Sequence, residues 1–234
     1  MKKNLAQRIH NYDNPRSIGS RFRAKRIAPL REMINKAYQQ HGKVSIIDVG
    51  GTKTYWNLIG DKILSEKNVT ITVINLAGTL YEGGGENNDK SFTYIEADGC
   101  DLSQFEDKSF HIVHSNSVIE HVGSWERMVT FAEEIRRVGQ NYFVQAPYFW
   151  FPIEPHFMVP FIHWFSEQIR VSLVMKYSMG EYKKTENLDE AVNLVKHIHL
   201  PDKKMFSRLF SDAEIKQEKV FLFTKSLIAI KDRL

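Results

Sequence analysis

The chain has 234 residues, of which 42% are hydrophobic and 26% charged, and its formal net charge is +4. These proportions are typical of a globular protein and argue against a disordered chain, a collagen-like repeat or a disulfide scaffold. The charge is too mildly basic to indicate a nucleic-acid partner. The length suits a single domain over residues 1–234, and the single cysteine, Cys100, suits a reducing compartment, so we predict a cytoplasmic protein.

Neither a secretory signal nor a membrane span is predicted. The basic N-terminus leads into polar residues, and prolines and histidines interrupt the longest apolar stretch, residues 142–165. Basic residues concentrate before the first predicted strand, and we interpret them as a solvated helix face, with an anionic substrate or the inner face of a membrane as alternatives. These basic residues are Arg16, Arg21, Arg23, Lys25, Arg26 and Arg31.

Helical and extended patterns alternate along the chain. Apolar residues at helical spacing predict amphipathic helices, and short β-branched or aromatic runs predict strands. The glycine-rich residues 78–90 predict a polar loop. Helices are predicted at about 20–40, 54–65 and 125–138. Strands are predicted at about 44–49, 69–75, 92–95, 110–114, 142–146, 214–220 and 226–230.

This alternation predicts an α/β fold. Strands separated by helices form right-handed crossovers, so the fold should be Rossmann-like and doubly wound, with helices on both faces of the sheet. We expect a mostly parallel seven-stranded sheet with an antiparallel last strand, preceded by a helical extension over residues 1–42.

Polar and glycine residues follow the first three predicted strands. Asp48 closes the first strand before Gly50 and Gly51, Asn75 ends the second, and Asp98 follows the third. Open parallel sheets bind ligands at the carboxyl ends of their strands, and glycine lets a backbone approach a ligand closely. Each residue alone could be an ordinary turn residue, but together they predict a ligand site at this edge.

Residues 105–122, FEDKSFHIVHSNSVIEHV, are the most specific stretch of the sequence. Together with the strand ends above, this stretch resembles the class I methyltransferases that use S-adenosylmethionine, and the resemblance covers about residues 44–144 well. It implies S-adenosylmethionine as cofactor and S-adenosylhomocysteine as product. No metal is predicted, because no cluster of carboxylates shows convincing ligand spacing, although a metal-assisted mechanism stays open. The cofactor residues implied are Asp48, Gly50 and Gly51 for the methionine moiety, Asn75 with Leu76 for the ribose, Asp98 and Gly99 for the adenine, and Ser115 and Asn116 beside the methyl donor.

Two features depart from the family pattern. Thr52 and Thr54 stand where the family's loop usually has glycine, and Asn75 replaces the usual acidic residue at the end of the second strand. An amide can hydrogen-bond ribose hydroxyls without the charge-assisted strength of a carboxylate. A weak cofactor site is therefore one expectation, and a non-catalytic binding module is an alternative.

The aromatic, proline-broken segment after the fifth strand predicts the acceptor side of such an enzyme. Residues 147–212 would form a helical insertion or lid, in which His156 is the candidate base, Glu154 its partner and His121 the second candidate. A histidine that only caps a helix or packs among aromatics is the alternative. The aromatics that could form a lid, a homodimer face or a membrane contact are Phe149, Trp150, Phe157, Phe161, Trp164 and Phe165.

The acceptor segment resembles methyltransferases of bacterial polysaccharide and lipid-linked sugar pathways. This resemblance favours O-methylation of a sugar or another small hydroxylated metabolite, with a lipid-linked glycan among the candidate acceptors. Methylation of an amine or another small molecule keeps the same cofactor site, so the sequence leaves it open.

Overall fold

The computed structural model describes residues 18–78, 91–180 and 182–234. Its centre is a seven-stranded sheet in the order β3-β2-β1-β4-β5-β7-β6, in which the first five strands in the chain are parallel and β7 is antiparallel to both its neighbours. The predicted doubly wound sheet with an antiparallel last strand is confirmed. The strands are β1 (Val44–Val49), β2 (Val69–Asn75), β3 (Phe92–Glu96), β4 (Phe110–Asn116), β5 (Gly139–Pro147), β6 (Glu214–Val220) and β7 (Phe223–Lys231).

Helices cover both faces of the sheet. Successive residues of a strand point to opposite faces, so Ile46 packs in the core beneath α1 while Ile47 packs in the core beneath α4. Apolar stripes on the two helices complete these cores, as the helical spacing predicts. The helices are α1 (Ile18–His41), α2 (Lys53–Trp56), α3 (Asp61–Glu66), α4 (Trp125–Val138), α5 (Glu167–Lys176), α6 (Leu188–Lys196) and α7 (Lys203–Leu209), with 3₁₀ turns at Ile119–His121 and Ile162–Trp164.

The structure corrects the single helix predicted over residues 54–65. Two short helices, α2 and α3, replace it, because Gly60 between them has a φ of 94°, a left-handed backbone conformation that breaks the helix. The predicted loop at 78–90 lies, apart from Gly78, outside the described residues.

Residues after β5 build a third, smaller core. It lies between the loop around Phe157, the helices α5 and α6, and the segment that leads to α7. Because this core is separate from the two sheet faces, the segment forms a local unit over the carboxyl edge of β5. No helix in the described parts of the chain is both long and apolar enough to cross a membrane.

Candidate active site

The turn after β1 places backbone at the carboxyl edge of the sheet. Gly50 has a φ of 76°, and its N–H donates to the carbonyl of Ile74 at 2.7 Å. A Cβ at Gly50 would stand 2.4 Å from Cγ2 of Val118. Both the positive φ and the close contact require glycine here, so the loop lies tightly between β2 and the turn after β4.

Asp48 lies beneath this loop and is fully buried. Its Oδ2 accepts from Nε1 of Trp56 at 2.7 Å, and its Oδ1 accepts from Nδ1 of His114 at 2.6 Å. A Cβ at Gly51 would fall 1.7 Å from Oδ2. Both carboxylate oxygens are therefore engaged by the protein, and Asp48 supports the backbone of Gly51 from below.

Thr52 and Thr54 are accommodated without strain at the positions where the resemblance leads us to expect glycine. Thr52 has an extended backbone, with φ −138° and ψ 151°, and precedes α2. Thr54 lies inside α2. Neither position requires a left-handed conformation, so the chain turns here without the flexibility of glycine.

Asn75 and Leu76 occupy the end of β2. The side-chain amide of Asn75 donates to the carbonyl of Gly51 at 3.0 Å, and Leu76 is 54% exposed. The amide thus joins the ends of β1 and β2, a bond that a carboxylate could not make because it has no donor. Asparagine at this position has a structural reason that the sequence pattern did not show.

Asp98 and Gly99 follow β3. Oδ1 of Asp98 accepts from the N–H of Cys100 at 2.9 Å, and Oδ2 pairs with Arg127 at 2.7 Å. Burial opposes ionisation, but the hydrogen bonds from Arg127 and Cys100 outweigh it and lower the pKa of Asp98. Gly99 packs closely against Phe131, where a Cβ would lie 2.7 Å from the ring.

Ser115 and Asn116 end β4 beside the turn after β1. The hydroxyl of the buried Ser115 donates to the carbonyl of Val49 at 3.0 Å. The amide oxygen of Asn116 accepts from Arg26, whose guanidinium also pairs with Glu218 at 2.7 Å. These bonds fix the β4 end to β1 on one side and to α1 and β6 on the other.

The three predicted acceptor-side residues come together, although they follow different strands. Nδ1 of His156 donates to Oε1 of the buried Glu154 at 2.6 Å, and Nε2 of His156 lies 3.1 Å from Nε2 of His121. Burial, together with the neighbouring His156 and His197, lowers the pKa of His121 to about 4. Glu154 thus orients His156, and His156 faces His121.

Glu120 joins this cluster and was missed in the sequence. It is fully buried, its two carboxylate oxygens have no hydrogen-bond partner among the described residues, and burial raises its pKa to about 7. Ligand atoms of Glu120, His121 and His156 lie within 4.8 Å of one another, an arrangement that could hold a metal ion. The adjacent Glu-His pair was the available sequence signal, and the sequence-based expectation of no metal therefore needs testing.

The aromatics of the acceptor segment divide into two groups. Phe157 is 2% exposed and belongs to the third core, so it is not part of an exposed aromatic surface. Trp150 and Trp164 lie with ring centroids 5.9 Å apart. The exposed members are Trp150, Phe161, Trp164 and Phe165.

A family model described as a methyltransferase domain matches residues 60–141. The matched region runs from the start of α3 into β5 and includes the ends of β2, β3 and β4. Over these residues the chain is similar to a methyltransferase domain. The match supports a methyltransferase as the class of enzyme and S-adenosylmethionine as the donor of the methyl group.

Solved structures share the fold of this chain. The magnesium protoporphyrin IX methyltransferase of Synechocystis PCC 6803 matches with a TM-score of 0.51 and 8% identity over 99% of this chain and 86% of that chain. A methyltransferase from Aquifex aeolicus matches with a TM-score of 0.49 and 13% identity, over 97% of this chain and 98% of that one. An O-methyltransferase family protein from Burkholderia thailandensis has a TM-score of 0.48 and 14% identity, over 92% of this chain and 62% of that one. No curated protein sequence matches this chain significantly.

Proposed function

We propose that this methyltransferase methylates a hydroxyl group of a sugar or another small hydroxylated metabolite. The observation that carries the proposal is the Glu154–His156 pair, with 2.6 Å between Oε1 and Nδ1, at the acceptor side of the sheet edge. A hydroxyl is a poor nucleophile until its proton is removed, whereas a neutral amine already carries a reactive lone pair. An oriented imidazole is therefore more useful to an O-methyltransferase than to an N-methyltransferase.

The cofactor would lie across the ends of β1 to β4. The site fits it because amide, carboxylate and backbone groups from neighbouring strand ends meet at one edge, where open sheets bind ligands. The backbone of Gly50 and Gly51 would contact the methionine moiety, supported from below by Asp48. The other contacts proposed are Asn75 and Leu76 with the ribose, Asp98 and Gly99 with the adenine, and Ser115 and Asn116 beside the methyl group.

A cofactor held by these residues would supply an electrophilic methyl group, with the sulfur atom as the leaving group that keeps the bonding electron pair. The acceptor oxygen forms the new bond with its own lone pair, and its proton passes to Nε2 of His156. Glu154 keeps the other nitrogen protonated, which leaves the lone pair on Nε2, and the acceptor hydroxyl would take the place of the contact between Nε2 and His121. The protein mainly holds donor and acceptor in line.

A sugar is the proposed acceptor because the segment that carries Glu154 and His156 also carries exposed aromatic side chains. Trp150 is 55% exposed and Trp164 is 41% exposed, which provides apolar surface for the ring of a small molecule. Residues 147–212 would form the lid over this acceptor, and we infer that the acceptor belongs to a surface polysaccharide or a lipid-linked glycan made in the cytoplasm.

The cofactor site is tested by isothermal titration with S-adenosylhomocysteine. Wild type should bind saturably, and Gly50→Ala should weaken binding at least tenfold because its Cβ displaces Val118. Gly78→Ala is the matched control, since Gly78 also has a positive φ of 75° but a Cβ there meets no atom within 4 Å. If folded wild type does not bind S-adenosylhomocysteine, the proposed cofactor site is contradicted.

The acceptor is tested with isotopically labelled S-adenosylmethionine and a panel of nucleotide sugars, lipid-linked glycans and amines. We expect label on an oxygen of a sugar and a large loss of kcat in His156→Asn. Exclusive labelling of nitrogen in the amines would replace the O-methylation proposal by N-methylation at the same cofactor site.

A further inference from the structure

The cluster of Glu120, His121 and His156 contains a carboxylate that no described residue hydrogen-bonds. Glu120 is 0% exposed, and neither of its oxygens has a hydrogen-bond partner among the described residues. A buried carboxylate without a partner is costly, and such groups are normally paired with a cation or bound to a metal. The structure therefore leaves a place for a positive charge beside Glu120.

Two imidazoles bring their nitrogens to the same place. Nε2 of His121 and Nε2 of His156 lie 3.1 Å apart, and the rings cross at 86°. Two ligands about 2.0–2.1 Å from a tetrahedral zinc ion stand about 3.3 Å apart, so the observed separation needs only a small adjustment. The ligand atoms of all three residues lie within 4.8 Å of one another.

Glu154 acts on this cluster as an outer partner. Its Oε1 accepts from Nδ1 of His156, which fixes the tautomer that presents Nε2 as a lone pair. Its Oε2 accepts from the N–H of His156 at 2.8 Å, which holds the backbone as well. Carboxylate–histidine–metal arrangements of this kind orient metal ligands in proteins generally.

We propose that Glu120, His121 and His156 bind one divalent transition-metal ion of the zinc type. Two imidazole nitrogens and one carboxylate suit zinc and its neighbours, whereas magnesium prefers a shell of oxygen ligands. Three protein ligands leave a coordination position for water or an acceptor oxygen. His156 is 20% exposed at its side chain, so this position can open toward the acceptor side.

The inference deepens the proposed function, because it assigns the acceptor side of the same site. A hydroxyl bound to the ion loses its proton more easily, and the proton passes to water. His156 would then serve as a ligand, and the ion would replace its imidazole as the group that activates the hydroxyl. Metal binding itself requires neither cofactor nor acceptor.

The test is titration of chelator-treated, metal-free full-length protein with zinc chloride, without cofactor. We expect about one ion per chain, at least tenfold weaker binding in Glu120→Gln, and loss of stoichiometric binding in His156→Asn. Glu154→Gln should weaken binding about 10–100-fold through the outer shell. Matched controls are the exposed Glu126→Gln and His41→Asn, which should bind zinc as wild type does.

Two further measurements distinguish a variant that lacks a metal-binding residue from a variant that does not fold. Cobalt(II) in the wild-type site should show the visible absorption of a nitrogen- and oxygen-ligated ion, and zinc should raise the Tm of wild type but not of Glu120→Gln. Zinc binding that survives in both Glu120→Gln and His156→Asn overturns the inference, as does wild type that takes up no stoichiometric zinc. Titration with S-adenosylhomocysteine on the same samples reports the cofactor site independently, so failure of one proposal is distinguishable from failure of the other.

Discussion

The proposed cofactor edge and the proposed acceptor side of this protein, called below the cofactor edge and the acceptor side, are assembled differently. At the cofactor edge, Asp48, Asn75 and Ser115 each hydrogen-bond the neighbouring strand or loop, so the edge is held by the sheet itself. On the acceptor side, Glu154 and His156 belong to the loop after β5, and they meet Glu120 and His121 from the turn after β4. The first region is thus part of the sheet framework, and the second depends on how two loops pack.

This difference has a consequence for stability and binding. Damage to the loop cluster should leave the sheet edge intact, so cofactor affinity should survive it. Damage beneath the β1 turn should affect both stability and cofactor affinity, because the turn and the buried carboxylate form one unit.

The largest loss of stability is expected for Glu154→Ala. The substitution leaves three donors without an acceptor, the N–H groups of His156 and Phe157 and Nδ1 of His156. At about 1–3 kcal/mol for each unsatisfied buried group, the free energy of unfolding should fall by about 3 kcal/mol or more. Urea denaturation measures the loss, and titration should show an S-adenosylhomocysteine affinity within about threefold of wild type.

The control for this variant is Glu186→Ala, an exposed residue of the same segment, which should change stability by no more than about 0.5 kcal/mol. A large drop in cofactor affinity in Glu154→Ala would show that the two regions are coupled, and it would contradict the conclusion that the sheet edge is independent of the loop cluster.

A smaller loss of stability but a larger loss of affinity is expected for Asp48→Ala. Nε1 of Trp56 and Nδ1 of His114 lose their acceptor, which should cost about 2–4 kcal/mol. Gly51 also loses the side chain that supports it, so the Kd for S-adenosylhomocysteine should rise at least tenfold. Trp56→Phe removes only one donor, so it should change the free energy of unfolding and the Kd for S-adenosylhomocysteine less than Asp48→Ala does. If Asp48→Ala binds S-adenosylhomocysteine as tightly as wild type, this account is contradicted.

The smallest effect is expected for Asp98→Asn and depends on pH. The folded pKa of Asp98 is lowered, so its contribution to stability is present above its ordinary pKa of 3.8 and is lost as the pH falls through the folded value. The side chains of Asp98 and Arg127 are 36% and 49% exposed, and solvent screening limits the contribution to under about 1 kcal/mol at neutral pH.

Guanidinium denaturation at a series of pH values tests this expectation. The difference in free energy of unfolding between wild type and Asp98→Asn should shrink as the pH falls below 3.8. Glu106→Gln is the nearby control at an exposed carboxylate. A difference that stays constant into the acid range would rule out the ion pair as its cause.

Much of the fold was predictable because it is encoded locally. The β-branched runs of β1 and β2 and the apolar stripe of α4 specify their own periodicity, and the predicted helix over 125–138 has the bounds Trp125–Val138 in the structure. The helix predicted over 54–65 was wrong because one backbone dihedral at Gly60 interrupts it, and helical spacing does not report such a break.

The sequence by itself determined the order of the elements, the polar ends of the strands and the resemblance to methyltransferases, since each depends on neighbouring residues. Only the tertiary structure decided what those groups contact. It buried Asp48 between Trp56 and His114, and it turned the amide of Asn75 to the carbonyl of Gly51. It also brought Glu120 beside His156, 36 positions away, because contacts between separate loops depend on packing that periodicity does not encode.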